Sequence, residues 1–192
     1  MVYGKGFYLA GKYVARISRT EMSREYDVWT KMLERCYDDK FQTKCPTYKG
    51  CEVSDYFLNF QNFAEWCNTQ VGFSQKFQLD KDLLHKSNKL YCPTKCVFLP
   101  QEVNKFLIGS DASRGDLPKG VSFHKVTGKY QVRVREDGKS HYLGLFTDID
   151  LAKNIYKSNK ERIAKKLALK WQDEIDSKAF YSLFNYEEEF IN

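Results

Sequence analysis

The sequence predicts an α+β protein of two small modules, and three observations carry that expectation. Apolar residues recur at helical spacing through the first third of the chain. A strand–turn–strand–helix unit follows over residues 77–108. Strict two-residue alternation then marks three short strands, which lead into a long helical pattern. With 192 residues, 42% hydrophobic and 16% aromatic, the chain can build real cores, which excludes a disordered polypeptide. No apolar run approaches the roughly 18 residues of a membrane span. The opening Met1-Val-Tyr-Gly-Lys-Gly lacks the apolar stretch of a signal peptide, so the expectation is a soluble, cytoplasmic protein with reduced thiols.

Residues 1–22 are rich in Tyr, Gly and Lys without a firm period and read as a loose leader or short hairpin. From Ser23, the positions Tyr26, Trp29, Leu33 and Cys36 form one face of an amphipathic helix. Asp38 to Gly50 reads as loop. Ser54 can cap a second helix, whose stripe Phe57, Phe60, Phe63 and Trp66 is core packing. Phe77 to Leu84 suggests a strand, 85–89 a polar turn and 90–99 the returning strand. Pro100 then starts a short helix carrying Val103, Asn104 and Leu107. Residues 109–118 are a linker by composition.

Beyond the linker, residues 120–124, 129–136 and 140–146 read as strands, with turns at Thr127-Gly128 and Asp137-Gly138. Thr147 or Asp148 can cap the following helix, whose buried face is expected to include Leu151, Ile155 and Tyr156, continuing through Leu167 and Trp171. Domain bounds follow: a leader 1–22, a helical plus ββα module 23–108, the linker 109–118, a sheet-and-helix module 119–170 and an acidic tail 171–192. That tail reads as a short packed helix, as a shield over the basic face or, most simply, as a frayed end.

The net charge of +6 is unevenly spread. Residues 113–170 hold 14 basic and 6 acidic side chains, whereas residues 171–192 hold 1 basic and 6 acidic. A basic segment beside an acidic tail points to a polyanion, nucleic acid foremost, because phosphate neutralisation releases counterions. In the middle strand Tyr130, Val132 and Val134 alternate with Gln131, Arg133 and Arg135. One face can therefore bury while the other presents two guanidinium groups, able to donate in pairs to guanine or phosphate.

Lys119-Gly-Val, Gly128-Lys-Tyr-Gln-Val-Arg-Val-Arg, Tyr142-Leu-Gly-Leu-Phe-Thr-Asp and Ala152…Tyr156 together resemble an AP2/ERF DNA-binding domain. The resemblance covers roughly residues 113–168. It implies a three-stranded antiparallel sheet packed on one helix, with the sheet entering the major groove of double-stranded DNA. Carried over by position, the DNA-binding residues are Lys119, Ser122, His124, Lys129, Gln131, Arg133, Arg135, Ser140 and Tyr142. Several of these are arginines in the plant members, so base preference does not transfer.

Leu79-Asp80-Lys81-Asp82, Asn88, Tyr91-Cys-Pro-Thr-Lys-Cys96 and Asn104 are similar to phage-type HNH and homing endonucleases. Residues 26–37 and the Trp66 region resemble the leader those proteins carry, and an AP2 domain is a familiar companion of this unit. The resemblance implies a divalent-metal-dependent DNA endonuclease, active in a host cytoplasm if phage-encoded. Asp80 and Asn104 would be metal ligands for one Mg²⁺ or Mn²⁺, Asn88 would hold the loop, and Lys81 stands where the catalytic histidine normally stands. A lysine is protonated at neutral pH, so Lys81 would act as an electrophile, with His85 supplying a base from the turn. Asp82, on the face of Asp80 by strand alternation, is a second carboxylate. The alternative is a catalytically inactive HNH-derived DNA-binding regulator or phage accessory protein. A third class, a protein-binding inhibitor, has no feature beyond the acidic tail. Cys92 and Cys96 are spaced x3 and Cys45 and Cys51 x5, neither the tight C-x2-C of a zinc knuckle, so structural zinc is not expected.

Overall fold

In the computed structural model, residues 1–108 and 117–190 are described. The expected linker 109–118 thus lies mostly outside them. The fold is mixed α+β, with seven α-helices and a three-stranded antiparallel sheet near the C-terminus among the described residues. The chain divides into two compact units, Met1–Pro100 and Gln101–Asn192.

The first unit is built on α1 (Arg24–Tyr37) and α4 (Phe60–Thr69). Ser23 caps α1 by accepting from the Tyr26 N–H, and Trp29, Met32, Leu33 and Cys36 form its buried face. The Trp29 indole donates to the Phe57 carbonyl at 2.7 Å, so the ring's polar edge is satisfied inside the core. Phe57, Phe60, Phe63 and Trp66 are all buried as expected, in edge-to-face and tilted contacts.

The expected second helix is two. A short α3 (Asp55–Leu58) ends at Asn59, whose extended backbone and side-chain bond to the Gln61 N–H start α4 afresh. The break has a cause in the leader: the Phe7 N–H donates to the Leu58 carbonyl, and the Phe60 N–H donates to the Phe7 carbonyl. Gly6 sits so close to Leu33 and Trp29 that an added Cβ would lie 2.4 Å from the Leu33 methyl. Gly6 is therefore buried in the core and Val2 half-buried against it, while Tyr3, Gly4, Lys5 and Phe7 stay exposed. The loop expected over 38–50 contains α2 (Asp39–Lys44), capped by the Asp38 carboxylate on the Phe41 N–H, and a 3-10 turn at Pro46–Tyr48.

The expected hairpin over 77–99 is wired differently. Strand β2 (Gln78–Asp80) pairs antiparallel with β4 (Val97–Leu99), while β3 (Leu90–Tyr91) pairs in parallel with β1 (Glu52–Val53). The turn at Pro93-Thr94-Lys95, closed by Lys95 and Cys96 N–H donors on the Cys92 carbonyl, splits the returning strand in two.

In the second unit β5 (Val121–His124), β6 (Lys129–Glu136) and β7 (Lys139–Phe146) form the sheet in that order. One face packs on α6 (Ile149–Trp171), with Asp148 rather than Thr147 as its N-cap. The buried face of α6 is Ala152, Tyr156, Ile163, Ala164, Leu167 and Ala168. Leu151 is exposed and Ile155 half-buried, contrary to expectation, because small alanines let helix and sheet approach while the larger residues sit at the flank. Helix α5 (Gln101–Leu107) belongs to this unit: Glu102 accepts from Lys170 and the Trp171 indole, and Phe106 contacts Lys160 and Tyr186. The tail is ordered as α7 (Ser177–Phe184), with Asp176 capping and Ala179 and Leu183 buried.

Candidate nucleic-acid interface

Strand register fixes which side chains share a face. Ser122 is opposite Gln131 and His124 opposite Lys129. Arg133 is opposite Tyr142 and Arg135 opposite Ser140. Directly paired residues project to the same side of a sheet, so these eight of the nine expected DNA-binding residues lie on one face. The partners of the other face are Val132 with Val121, and Tyr130 with Phe146, the side that meets α6. A bulge between Val132 and Arg133 in the register with β7 shifts the pairing by one residue there. Without it, the two-residue period would put Leu143 opposite Arg133; with it, Tyr142 takes that place.

The open face is polar and cationic. Arg133, Arg135 and Lys129 are exposed, and no carboxylate among the described residues pairs with them. The Arg133 guanidinium sits 5.9 Å from the Tyr142 ring centroid, which limits its rotamers without neutralising it. The His124 Nδ1 and Thr127 hydroxyl are 2.9 Å apart across the turn. Such a surface can donate to phosphate oxygens or to guanine acceptors.

The basic residues of α6 behave otherwise. Arg162 and Lys166 both donate to Glu136, Lys166 also reaches Asp137 at 2.9 Å, and Lys170 reaches Glu102. Hydrogen bonds from Arg162 and Lys166 pull the Glu136 carboxyl down to about 2. The helix lysines counted toward a polyanion surface are thus largely spent inside the module. The ninth expected residue, Lys119, is likewise engaged, 3.1 Å from Glu188 of the tail. Charge arithmetic on the sequence could not separate paired from unpaired cations; alternation in β6 could.

The loop after β2 is a closed lock. Lys81 is buried, and its ammonium donates to the Asn88 carbonyl at 2.7 Å and to Asp82 at 2.5 Å. Asn88, also buried, donates to the carbonyls of Lys81 and Leu90 and accepts from the Leu90 N–H. Asn88 therefore ties both ends of the loop, and Lys81 points into it. His85 is exposed at the tip, where its carbonyl accepts from the Asn88 N–H. Asp80 Oδ1 accepts from the Asp82 and Leu83 N–H groups, as an Asx turn does. Burial raises the Asp80 carboxyl to about 6 against those two bonds. Asn104 is buried in α5, in the second unit.

The carboxylates of this loop are in part engaged within the loop itself. One Asp80 oxygen accepts from two backbone amides, and Asp82 pairs with the Lys81 ammonium. No group of three His, Cys, Asp or Glu side chains able to hold a metal occurs among the described residues. All six cysteines are free thiols, five of them buried and Cys45 half-buried; burial pushes Cys36 up to about 12, with Cys67 and Cys96 raised further, so these three serve as apolar core members. No helix among the described residues is long and apolar enough to cross a membrane. No family model, curated protein or solved structure matches the chain.

Proposed function

We propose that the protein binds double-stranded DNA through the open face of β5–β6–β7, as an AP2/ERF-like module joined to an HNH-like unit whose loop is a structural lock. The observation that carries this reading is the strand register, which gathers Ser122, His124, Lys129, Gln131, Arg133, Arg135, Ser140 and Tyr142 on one unneutralised face. Lys81 and Asn88 then serve stability, and the first unit serves as scaffold. This is the regulator or accessory reading of the sequence.

The test is fluorescence anisotropy with labelled duplexes at 50 and 200 mM salt. Each phosphate contact contributes a slope of about 0.9 in log K against log salt. Arg133→Ala with Arg135→Ala should therefore flatten the slope by up to about 1.8 and weaken binding at both salts. A wild-type chain that binds no duplex at 50 mM salt, or a double variant that binds like wild type, refutes the proposal.

A second reading, a phage-type HNH endonuclease, is favoured by the Asn88 clamp, since a central Asn holding this loop is what the resemblance implies. Supercoiled plasmid incubated with Mg²⁺ or Mn²⁺ decides it. Nicking that disappears in Asp80→Ala and in Asn104→Ala supports cleavage; intact plasmid under both metals leaves the DNA-binding reading alone.

A further inference from the structure

The last described residues form an acidic strap that is anchored rather than frayed. Glu188 is 2% exposed, a rare state for a carboxylate unless it is paired. Its Oε2 accepts from the Tyr186 hydroxyl at 2.6 Å, and its Oε1 faces the Lys119 ammonium at 3.1 Å. Its backbone N–H donates to the Glu161 carboxylate. Aromatic contacts pin both flanks: Tyr186 lies edge-on to Phe106, and Phe190 lies against Tyr156. Glu187 and Glu189, on either side, are exposed.

Beneath the strap lies Lys160, whose ammonium donates to the Phe106 carbonyl and covers the Phe106 ring at 3.7 Å. Burial draws its pKa down to about 8, with the Glu188 charge opposing. Oε1 of Glu188 has an ion-pair partner but no directed hydrogen bond. The contact at Oε1 is therefore an ion pair with Lys119, one that a phosphate oxygen can also make, so an incoming phosphate would replace the charge that Lys119 loses. Lys119 immediately precedes Gly120 and β5, at the margin of the sheet assigned to DNA.

Resting on the DNA-binding reading above, we propose that the strap Tyr186–Phe190 is an internal competitor for DNA. The Glu188 carboxylate occupies a backbone-phosphate subsite formed by Lys119 with Lys160 beside it, and duplex binding displaces it. Tethering gives the carboxylate an effective concentration that a free anion in solution does not reach. The strap thus raises the threshold for weak, non-specific binding, while a well-matched duplex still opens the subsite.

Three variants and one wild-type measurement test this. The chain ended after Asn185 should bind labelled duplex more tightly than the full chain at 50 mM salt. Releasing two lysines should make it lose about tenfold more affinity than the full chain between 50 and 200 mM salt. Glu188→Gln should shift the same way, by roughly threefold for one lysine, and Lys119→Ala added to Glu188→Gln should cancel that gain. In the wild-type chain, hydrogen exchange across 186–190 should speed up when duplex is added. Equal salt dependence of full chain, truncated chain and Glu188→Gln overturns the proposal, as does unchanged or slowed exchange in the strap. A fall in thermal stability of Glu188→Gln without a change in salt response assigns Glu188 a purely structural role and also overturns it. If the full chain binds DNA but neither the truncated chain nor Glu188→Gln gains, only this inference fails. If neither full nor truncated chain binds at 50 mM salt, the DNA-binding reading falls with it.

Discussion

Gly120→Ala tests how tightly the sheet is seated on its helix. Gly120 has φ +70°, and a Cβ there would lie 2.1 Å from two carbons of the Tyr156 ring and 2.8 Å from the Arg133 carbonyl oxygen. The Gly120 carbonyl itself accepts from the Arg133 N–H, so the backbone cannot retreat without breaking the β5–β6 edge. Placing an L-residue in the left-handed region costs about 1–2 kcal/mol. Forcing the buried Tyr156 ring aside adds about 1–3 kcal/mol of overpacking. A total near 3 kcal/mol should lower the unfolding midpoint of the second unit by roughly 12–24 °C. Gly128→Ala is the matched control: its φ is +66°, but nothing lies within 4 Å of the added Cβ. Only the conformational cost of about 1 kcal/mol applies, a fall of roughly 4–8 °C. Calorimetry gives the midpoints, and hydrogen exchange assigns the loss to β5–β7 and α6 while α1 and α4 stay protected. Equal midpoints for the two variants would refute the argument that Tyr156 fixes the seat of β5.

Glu136 should give the second unit a distinct acid sensitivity. Its carboxyl is held near 2, below the ordinary 4.5, so its contribution is complete above about pH 4.5 and fades as pH falls toward 2. Glu136→Gln should lower the midpoint at pH 7 and flatten its decline across that window, followed by calorimetry from pH 7 to 2.5. Asn88→Ala removes three hydrogen bonds and should cost about 2–4 kcal/mol in denaturant unfolding, with exchange rising over 78–99. Lys81→Met keeps the hydrocarbon stem but leaves the Asn88 carbonyl without its ammonium, which should cost about 1–3 kcal/mol. An equally stable Lys81→Met chain that has lost plasmid nicking would instead make Lys81 part of a catalytic centre.

The second unit was the more legible in sequence, because alternation is a local signal with a period of two. Tyr130, Val132 and Val134 against Gln131, Arg133 and Arg135 predicted the two faces of β6, and turn glycines placed the strand ends. The first unit was less legible where long-range contacts overrule local pattern. Nothing near Asn59 announces that Phe7 will insert its backbone there and divide one helix into two. The aromatic stripe survives the break because Phe57 and Phe60 still face the same core. In the candidate site, Asn88 was found by its place in a motif, whereas the burial of Lys81 was not foreseeable from a charged residue in a polar stretch. The most consequential miss concerns the cations. Glu136, Glu102 and Glu188 each neutralise lysines distant in sequence, and composition counts charges without knowing their partners.

The attachment of α5 and α7 to α6 determines how the chain can be divided. The sheet and helix of 119–170 look self-sufficient, yet Trp171 and Lys170 rest on Glu102, and α7 covers α6 with Ala179 and Leu183. A fragment trimmed to 119–170 would bare the Ala164, Leu167 and Ala168 flank and leave Lys160 without the Phe106 carbonyl. The portable piece, whether for expression or for exchange between genes, runs from Gln101 through the strap. A cut just after Leu107 severs the module from its own buttress.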